Sequence, residues 1–174
     1  MNKIRRLSPL AVLPLTLLAA ACTVTSASRA DTAQDPEIRA LLDRAEITAL
    51  ADRLGIALDD GRFDDFRAIY AADATATTPG GTARGVDALI AQAGRNHSPD
   101  LRIQHFISNV RIDLRGDAAT VRANLVVVFA PAGPLAAPGY TLGSIYHFDA
   151  ARTSDGWRLT SVRTEPRWAV GTRP

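Results

Sequence analysis

Apolar residues in this chain keep a helical spacing up to about residue 93 and an alternating one beyond residue 100. Ile38, Leu41, Leu42, Ala45 and Ala49 recur three and four apart, and Leu50, Leu54, Ala57 and Leu58 continue the stripe with a slight drift. Asp35-Pro36-Glu37 offers an N-cap carboxylate with proline at the first helical position, and Asp59-Asp60-Gly61 offers a glycine for a left-handed stop. Phe63, Phe66, Ile69 and Tyr70 predict a short second helix. Residues 73–78 predict a first strand, closed by a turn at Pro79-Gly80-Gly81. Val86, Leu89, Ile90 and Ala93 predict a third helix that frays before Ser98-Pro99.

Residues 101–114 then read as a strand with Leu101, Ile103, His105 and Ile107 facing one way, followed by Val110, Ile112 and Leu114. The slip of phase at Ser108-Asn109 predicts a β-bulge. Strands over 120–129, 140–151 and 157–166 follow, joined by Arg115-Gly116-Asp117, a proline- and glycine-rich loop over 131–138, and Ser154-Asp155-Gly156. Val121, Ala123, Leu125, Val127 and Phe129 form the inward set of the first of these. Trp157 and Trp168 are expected to plug the core. Helices first and an antiparallel meander afterwards predict an α+β fold, with one long and two shorter helices on one face of a curved, mostly antiparallel sheet enclosing a pocket.

The first 34 residues have a different composition. Lys3, Arg5 and Arg6 precede an apolar run over 7–21 broken only by Ser8, Pro9, Pro14 and Thr16, and Ala19-Ala20-Ala21 precede Cys22. This is the layout of a bacterial secretory signal, too short and too interrupted by proline to span a membrane. Leu18-Ala19-Ala20-Ala21-Cys22 resembles a lipobox with its leucine one place further from the cysteine than usual. Cys22 would then be acylated; the alternative is an ordinary signal cut at Ala21 or near Ala30. Residues 22–34, small and polar, read as a tether. The expected organisation is a signal peptide over 1–21, a tether over 22–34 and one domain over 35–171, exported, facing the periplasm and membrane-bound only through a lipid. Loss of residues 1–21 leaves 153 of 174 residues and takes the formal charge from +2 to −1, because Lys3, Arg5 and Arg6 leave with the leader. Nucleic-acid binding then has no electrostatic footing, despite a whole-chain pI of 9.1.

His105 is the first candidate for chemistry. An imidazole among strand residues that want a dry interior must find a polar partner, shift its pKa or line a cavity. The bland reading is a core histidine satisfied by a backbone carbonyl. His147, on the opposite strand phase from Tyr146, is expected on the outer face or in a subunit interface, and His97 is expected to be solvated or dipole-stabilised. Tyr140 and Tyr146 share a strand phase and either could donate a proton, while Asn124 or Ser144 could orient a hydroxyl. Three scattered histidines predict no metal site, and no phosphate cradle or nucleophilic serine motif is present, so no cofactor is expected.

The segments Leu58-Asp59-Asp60-Gly61-Arg62-Phe63-Asp64, Tyr70-Ala71-Ala72-Asp73-Ala74, Gln104-His105-Phe106-Ile107-Ser108-Asn109 and Asp155-Gly156-Trp157-Arg158-Leu159 come in the order and at the separations of a known family. Residues 35–171 resemble the SnoaL-like branch of the nuclear transport factor 2-like superfamily, whose fold is a cone-shaped α+β barrel. The dehydratases of that family, such as scytalone dehydratase and bile-acid dehydratase, use an aspartate at the end of the first helix and a strand histidine as a dyad. The resemblance assigns these roles to Asp59 and His105; the residues themselves leave Asp59 and Asp60 both open. It also points to Arg167 as a functional arginine and implies a homodimer or other small homo-oligomer; Tyr140, Tyr146, Asn124 and Phe129 are the expected substrate contacts. The chain departs from the family where those dehydratases carry tyrosines, here Leu58, Leu54 or Thr78, and where a second strand histidine falls near Phe129 or Ala130. The function so implied is a cofactor-independent lyase or isomerase acting on a hydrophobic, cyclic or aromatic hydroxylated compound. The alternatives are a non-catalytic binding or assembly domain and a retro-aldol lyase on an aromatic diol.

Overall fold

A computed structural model of the chain describes residues 36–174, so the leader, the tether with Cys22 and the capping Asp35 lie outside the described residues. Helix α1 spans Pro36–Asp59, a 3-10 turn at Phe63–Asp65 leads into the single-turn α2 (Phe66–Ile69), and α3 spans Val86–Arg95. The strands are β1 (Tyr70–Thr78), β2 (Gly81–Arg84), β3 (Leu101–Arg115), β4 (Ala118–Pro131), β5 (Tyr140–Thr153) and β6 (Gly156–Gly171). They form one curved sheet in the order β2-β1-β6-β5-β4-β3. Every neighbouring pair is antiparallel except β1 and β6. This is the α+β architecture that the hydrophobic pattern predicts.

The core lies between α1 and the inner face of the sheet. Ile47, Leu50, Ala51, Leu54 and Ala57 of α1 meet Val121, Ala123, Leu125 and Val127 of β4 and Phe148, Trp157 and Leu159 of the next two strands. The bulge falls where the slip in phase puts it. The β3–β4 register breaks between Ser108 and Arg111, with Asn109 at φ 54°, a left-handed conformation that asparagine tolerates. Gly61, at φ 67°, ends α1 as expected.

Four expectations need correction. The first turns of α1 are not part of the buried stripe: Leu41 is 67% exposed, and Ile38 and Leu42 are half exposed, because the sheet covers α1 only from Asp43 onward. Tyr70 opens β1 rather than closing a helix. The turn at Pro79-Gly80 folds back into a short edge strand, β2, that the sequence did not mark. Trp168 is 51% exposed and no core plug. Strand β6 runs on past Pro166, and the register jumps there from Ser144↔Pro166 to Gly143↔Trp168, leaving Arg167 as the extra residue. The shift lays the Trp168 indole across Gly143, where a Cβ would stand 2.0 Å from the ring.

Two devices hold α1 against the sheet. The first covers a sheet edge. Strand β3 is the last in the sheet, and α1 answers its unpaired backbone groups: Arg44 donates to the Ile112 carbonyl at 2.6 Å and Asp59 accepts the His105 N–H. Gly55 permits the close approach, since a Cβ there would lie 3.3 Å from Ile107 Cδ1 and 3.8 Å from His105 Cβ. The second is a polar clamp. Buried Asp43 accepts the indole N–H of Trp157 at 3.2 Å and pairs with Arg152, whose guanidinium stacks 4.8 Å from the Trp157 ring centroid and also reaches Asp117. The Arg152 hydrogen bond, aided by Trp157, holds the Asp43 carboxyl below its ordinary range against the cost of desolvation.

Gly55→Val should therefore lower stability by about 1–3 kcal/mol through overpacking against Ile107, whereas Gly55→Ala should be close to neutral, as the gain in helix propensity offsets a small shift. Urea denaturation of the two variants checks this. The Asp43 clamp predicts a pH dependence. A depressed carboxyl pKa stabilises the fold fully above the ordinary value of 3.8, and that contribution fades as pH falls through the lowered one. Asp43→Asn should remove this part of the acid sensitivity and lower neutral-pH stability by about 2 kcal/mol. Thermal melts of both proteins between neutral pH and pH 3 measure it, and parallel curves would refute it.

Candidate active site

The end of α1 delivers a carboxylate to the middle of β3. The N–H groups of Asp60 and Arg62 close the helix on the carbonyls of Ile56 and Ala57 at 3.0 and 2.9 Å, with Gly61 supplying the left-handed step. This stop, with Gly55 one turn earlier, fixes Asp59 against the strand. Asp59 Oδ1 lies 2.6 Å from His105 Nδ1, and its two oxygens accept the backbone N–H of the same histidine at 2.9 and 3.1 Å. Asp60, the alternative that the sequence left open, is exposed and pairs with Arg62.

The arrangement dictates a tautomer. An ionised carboxylate can only accept, so Nδ1 carries the ring proton and Nε2 is left as the basic nitrogen. No described residue bonds Nε2. His105 stands in the wall of a cavity of about 940 Å³ whose apolar surface includes Leu54, Leu58, Ile103, Leu125, Val127 and Phe129. Leu54, Leu58 and Thr78, the positions where the related dehydratases carry tyrosines, all belong to this wall.

Phenols nonetheless reach the cavity from other strands. Tyr146 and Tyr140 of β5 line it, and so does Tyr70 of β1. Burial pushes the Tyr146 phenol well above its usual pKa; a hydrogen bond with Thr164 opposes this and the nearby Asp59 charge adds to it. Burial likewise raises Tyr70, with Tyr146 adding. Both therefore stay neutral O–H donors at any ordinary pH. Sequence reasoning missed Tyr70 because it fits the helical stripe of Phe63, Phe66 and Ile69. The signal that could have found it is its place one residue after that stripe ends, at the start of a strand.

The other expected site residues are scattered. Phe129 lines the cavity and packs on Tyr140 at 5.6 Å between ring centroids. Arg167, the bulge residue of β6, also borders the cavity, but it is half exposed and its Nη2 lies 2.6 Å from Glu165 Oε1. Trp168 lies beside it on the same border. The expectation that Asn124 contacts substrate is corrected: strand alternation turns it to the outer face, where Arg122 lies 3.5 Å away, while Ala123 and Leu125 face inward. Ser144 does face inward, buried, and its Oγ has no partner among the described residues.

His147 occupies the outer face, as its phase predicts. It stands in a cross-strand row with Arg111, Arg122 and Arg163, directly opposite one another on four neighbouring strands, and its Nε2 lies 2.9 Å from Glu165 Oε2. That hydrogen bond, with the charges of Arg167 and Arg163, holds the Glu165 carboxyl below its usual range despite some desolvation. His97 is a further correction. Instead of being solvated it lies in the cavity wall, edge-on to Phe63 at 5.4 Å between centroids, with Nδ1 buried and unpartnered. The chain folds back after α3 and seats the ring over Gly61, which has no side chain to exclude it. Among the described residues no three His, Cys, Asp or Glu side chains converge as metal ligands.

Chemically, the site offers in a mostly apolar hollow a base, His105, whose protonated form a carboxylate stabilises, and neutral phenol donors on the facing strands. Comparison with known proteins agrees with the fold. A family model described as a SnoaL-like domain matches residues 39–163. None of the curated proteins matches the chain in sequence. Among solved structures, a type 2 hexachlorocyclohexane dehydrochlorinase, LinA, superposes with a TM-score of 0.68 at 17% identity, covering 79% of this chain and 97% of its own. A protein assigned as a scytalone dehydratase from Novosphingobium aromaticivorans gives 0.67 at 16% identity, covering 78% and 91%. A nuclear transport factor 2-like superfamily protein from Salmonella enterica gives 0.66 at 14%, covering 74% and 94%. At these identities the likeness is one of fold.

Proposed function

We propose, on the premise that this chain belongs to the SnoaL-like domain family, that it is a cofactor-independent lyase or isomerase of the dehydratase kind acting on a hydrophobic, cyclic or aromatic hydroxylated compound. The observation that carries this reading is the 2.6 Å bond between Asp59 and His105 in the wall of a mostly apolar cavity. His105 Nε2 takes a proton from a carbon beside a carbonyl or at a benzylic centre. The electron pair released forms a carbon–carbon double bond as the neighbouring carbon–oxygen bond breaks. The imidazolium, held by Asp59, then returns its proton to the departing hydroxyl, and water leaves. Return of the proton to a different carbon would give the isomerase outcome.

Tyr146 and Tyr70 suit the oxygen on which charge accumulates, because a neutral phenol in a dry site donates a hydrogen bond without needing to be desolvated during the reaction. Arg167, tethered to Glu165 at the border, suits an anionic or carbonyl group nearer solvent. The dehydrochlorinase and the scytalone dehydratase among the structural neighbours are both named for eliminations, which favours this class. Against it stands the apolar character of Leu54, Leu58 and Phe129, which would suit a plain binding domain equally well. We further propose export, attachment through an acylated Cys22, and a homodimer.

The test is turnover on a panel of β-hydroxyketones and benzylic alcohols, followed as new conjugated absorbance. His105→Ala and Asp59→Asn should each lower the rate by about 10²–10⁴-fold while circular dichroism stays native. Ligand binding without turnover by the wild-type protein, kept within tenfold in both variants, would establish the binding domain instead.

A further inference from the structure

The buried face of α3 carries a residue that packing alone does not explain. Only Leu89 and Gln92 of this helix are buried, and Gln92 is 7% exposed. A core position on a short amphipathic helix is ordinarily filled by leucine or methionine, because a primary amide brings two donors and an acceptor that must be satisfied. No described residue hydrogen-bonds the Gln92 side chain. It lines the same cavity as His105, with Nε2 3.7 Å from where a Cβ on Gly81 would stand.

We infer that Gln92 forms a second polar subsite on the α3 wall of the cavity, and that it binds an uncharged hydroxyl or carbonyl group of an elongated, otherwise apolar ligand. A neutral amide that can both donate and accept matches a neutral group of either kind. The buried lining of the cavity, including Leu89, Ala76, Phe66 and Tyr70, carries no charge close to this wall's interior, and the charged lining residues Arg95, Asp100, Arg167 and Arg173 are all exposed. The consequence for specificity is direct. The favoured ligand has two polar ends, one for His105 and one for Gln92. A ligand lacking the second displaces solvent from the Gln92 amide without replacing its hydrogen bonds, and the site therefore discriminates against the incomplete ligand. The orientation of that ligand rests on the function proposed above; the subsite itself does not.

Equilibrium binding separates the two. Para-phenylphenol and para,para′-biphenol are rigid, apolar and identical except for one hydroxyl at the opposite end. Fluorescence titration of the full-length protein should show biphenol bound about five- to tenfold more tightly, the worth of one hydrogen bond to a buried group. Gln92→Met, which fills the same volume, should abolish the preference while leaving phenylphenol affinity unchanged or improved. In the wild-type protein, biphenol but not phenylphenol should shift the side-chain amide resonances of Gln92, a readout that needs no variant. Equal affinity for the two compounds, a preference that survives Gln92→Met, or no binding of either would overturn the subsite. His105→Ala provides the separate control. In that variant phenylphenol can turn its one hydroxyl to Gln92, so the preference should fall away while both compounds shift the Gln92 amide resonances; that result, in a protein without turnover on any substrate, supports the subsite and removes only the lyase.

Discussion

One carboxylate joins the two halves of this molecule. Asp59 takes the backbone N–H and the ring of the same histidine, so a single side chain satisfies an edge-strand donor, orients an imidazole and anchors the end of a 24-residue helix. Each function supports the others. The backbone contacts fix the carboxylate, and the fixed carboxylate fixes the tautomer. Hydrogen bonds to a charged group are each worth about 1.5–3 kcal/mol, and leaving the strand N–H and Nδ1 orphaned would cost more than losing either bond alone. The geometry in turn depends on two glycines, Gly55 allowing the approach and Gly61 ending the helix where Asp59 is its last residue.

The cavity behind that bond combines a dry interior with a few titratable groups that burial keeps in one state. Tyr70 and Tyr146 are neutral because they are buried, and buried because they stand on the inward phase of strands that close the hollow. The outer face follows the opposite economy. There Arg111 and Arg122 stand directly opposite each other and His147 separates them from Arg163 in the same cross-strand row, and Glu165 offsets part of that positive charge through His147, Arg163 and Arg167. Glu165 thereby ties Arg167, at the cavity's border, to the outer network.

Strand alternation made much of this legible. It set the inward faces of β3 and β4, located the bulge and put His147 outside, because a period of two is rigid once one face is buried. The same rule already assigned Asn124 to the outer face, and the expectation of a substrate contact ran against it. What failed had non-local causes. The burial of α1 depends on where the sheet ends, which the residues at 38, 41 and 42 do not encode. Trp168 depends on a one-residue insertion in β6, and Arg167 carries no mark of a bulge. His97 is drawn inward by a glycine 36 positions earlier. The choice between Asp59 and Asp60 was open from phase alone, and Gly55, on the same helix face as Asp59, was the clue that would have decided it. Gln92 was visible as a polar residue within an apolar stripe.

The bulge at Asn109 has a consequence for descent. It changes which residues of β3 face the interior, odd-numbered before it and even-numbered after it. Loss of that one residue would bring the two segments into a single alternation, with His105, Ile107, Val110 and Ile112 all on the inner face and no break in the ladder. Pairing of the unchanged sequence without the bulge would instead set the two segments on opposite faces, and with 110–114 inside, the imidazole would swing out to water while composition and charge stayed the same. Among relatives of this chain, an odd spacing between the strand histidine and the apolar set that follows thus demands a bulge to keep the ring inside, and an even spacing demands none.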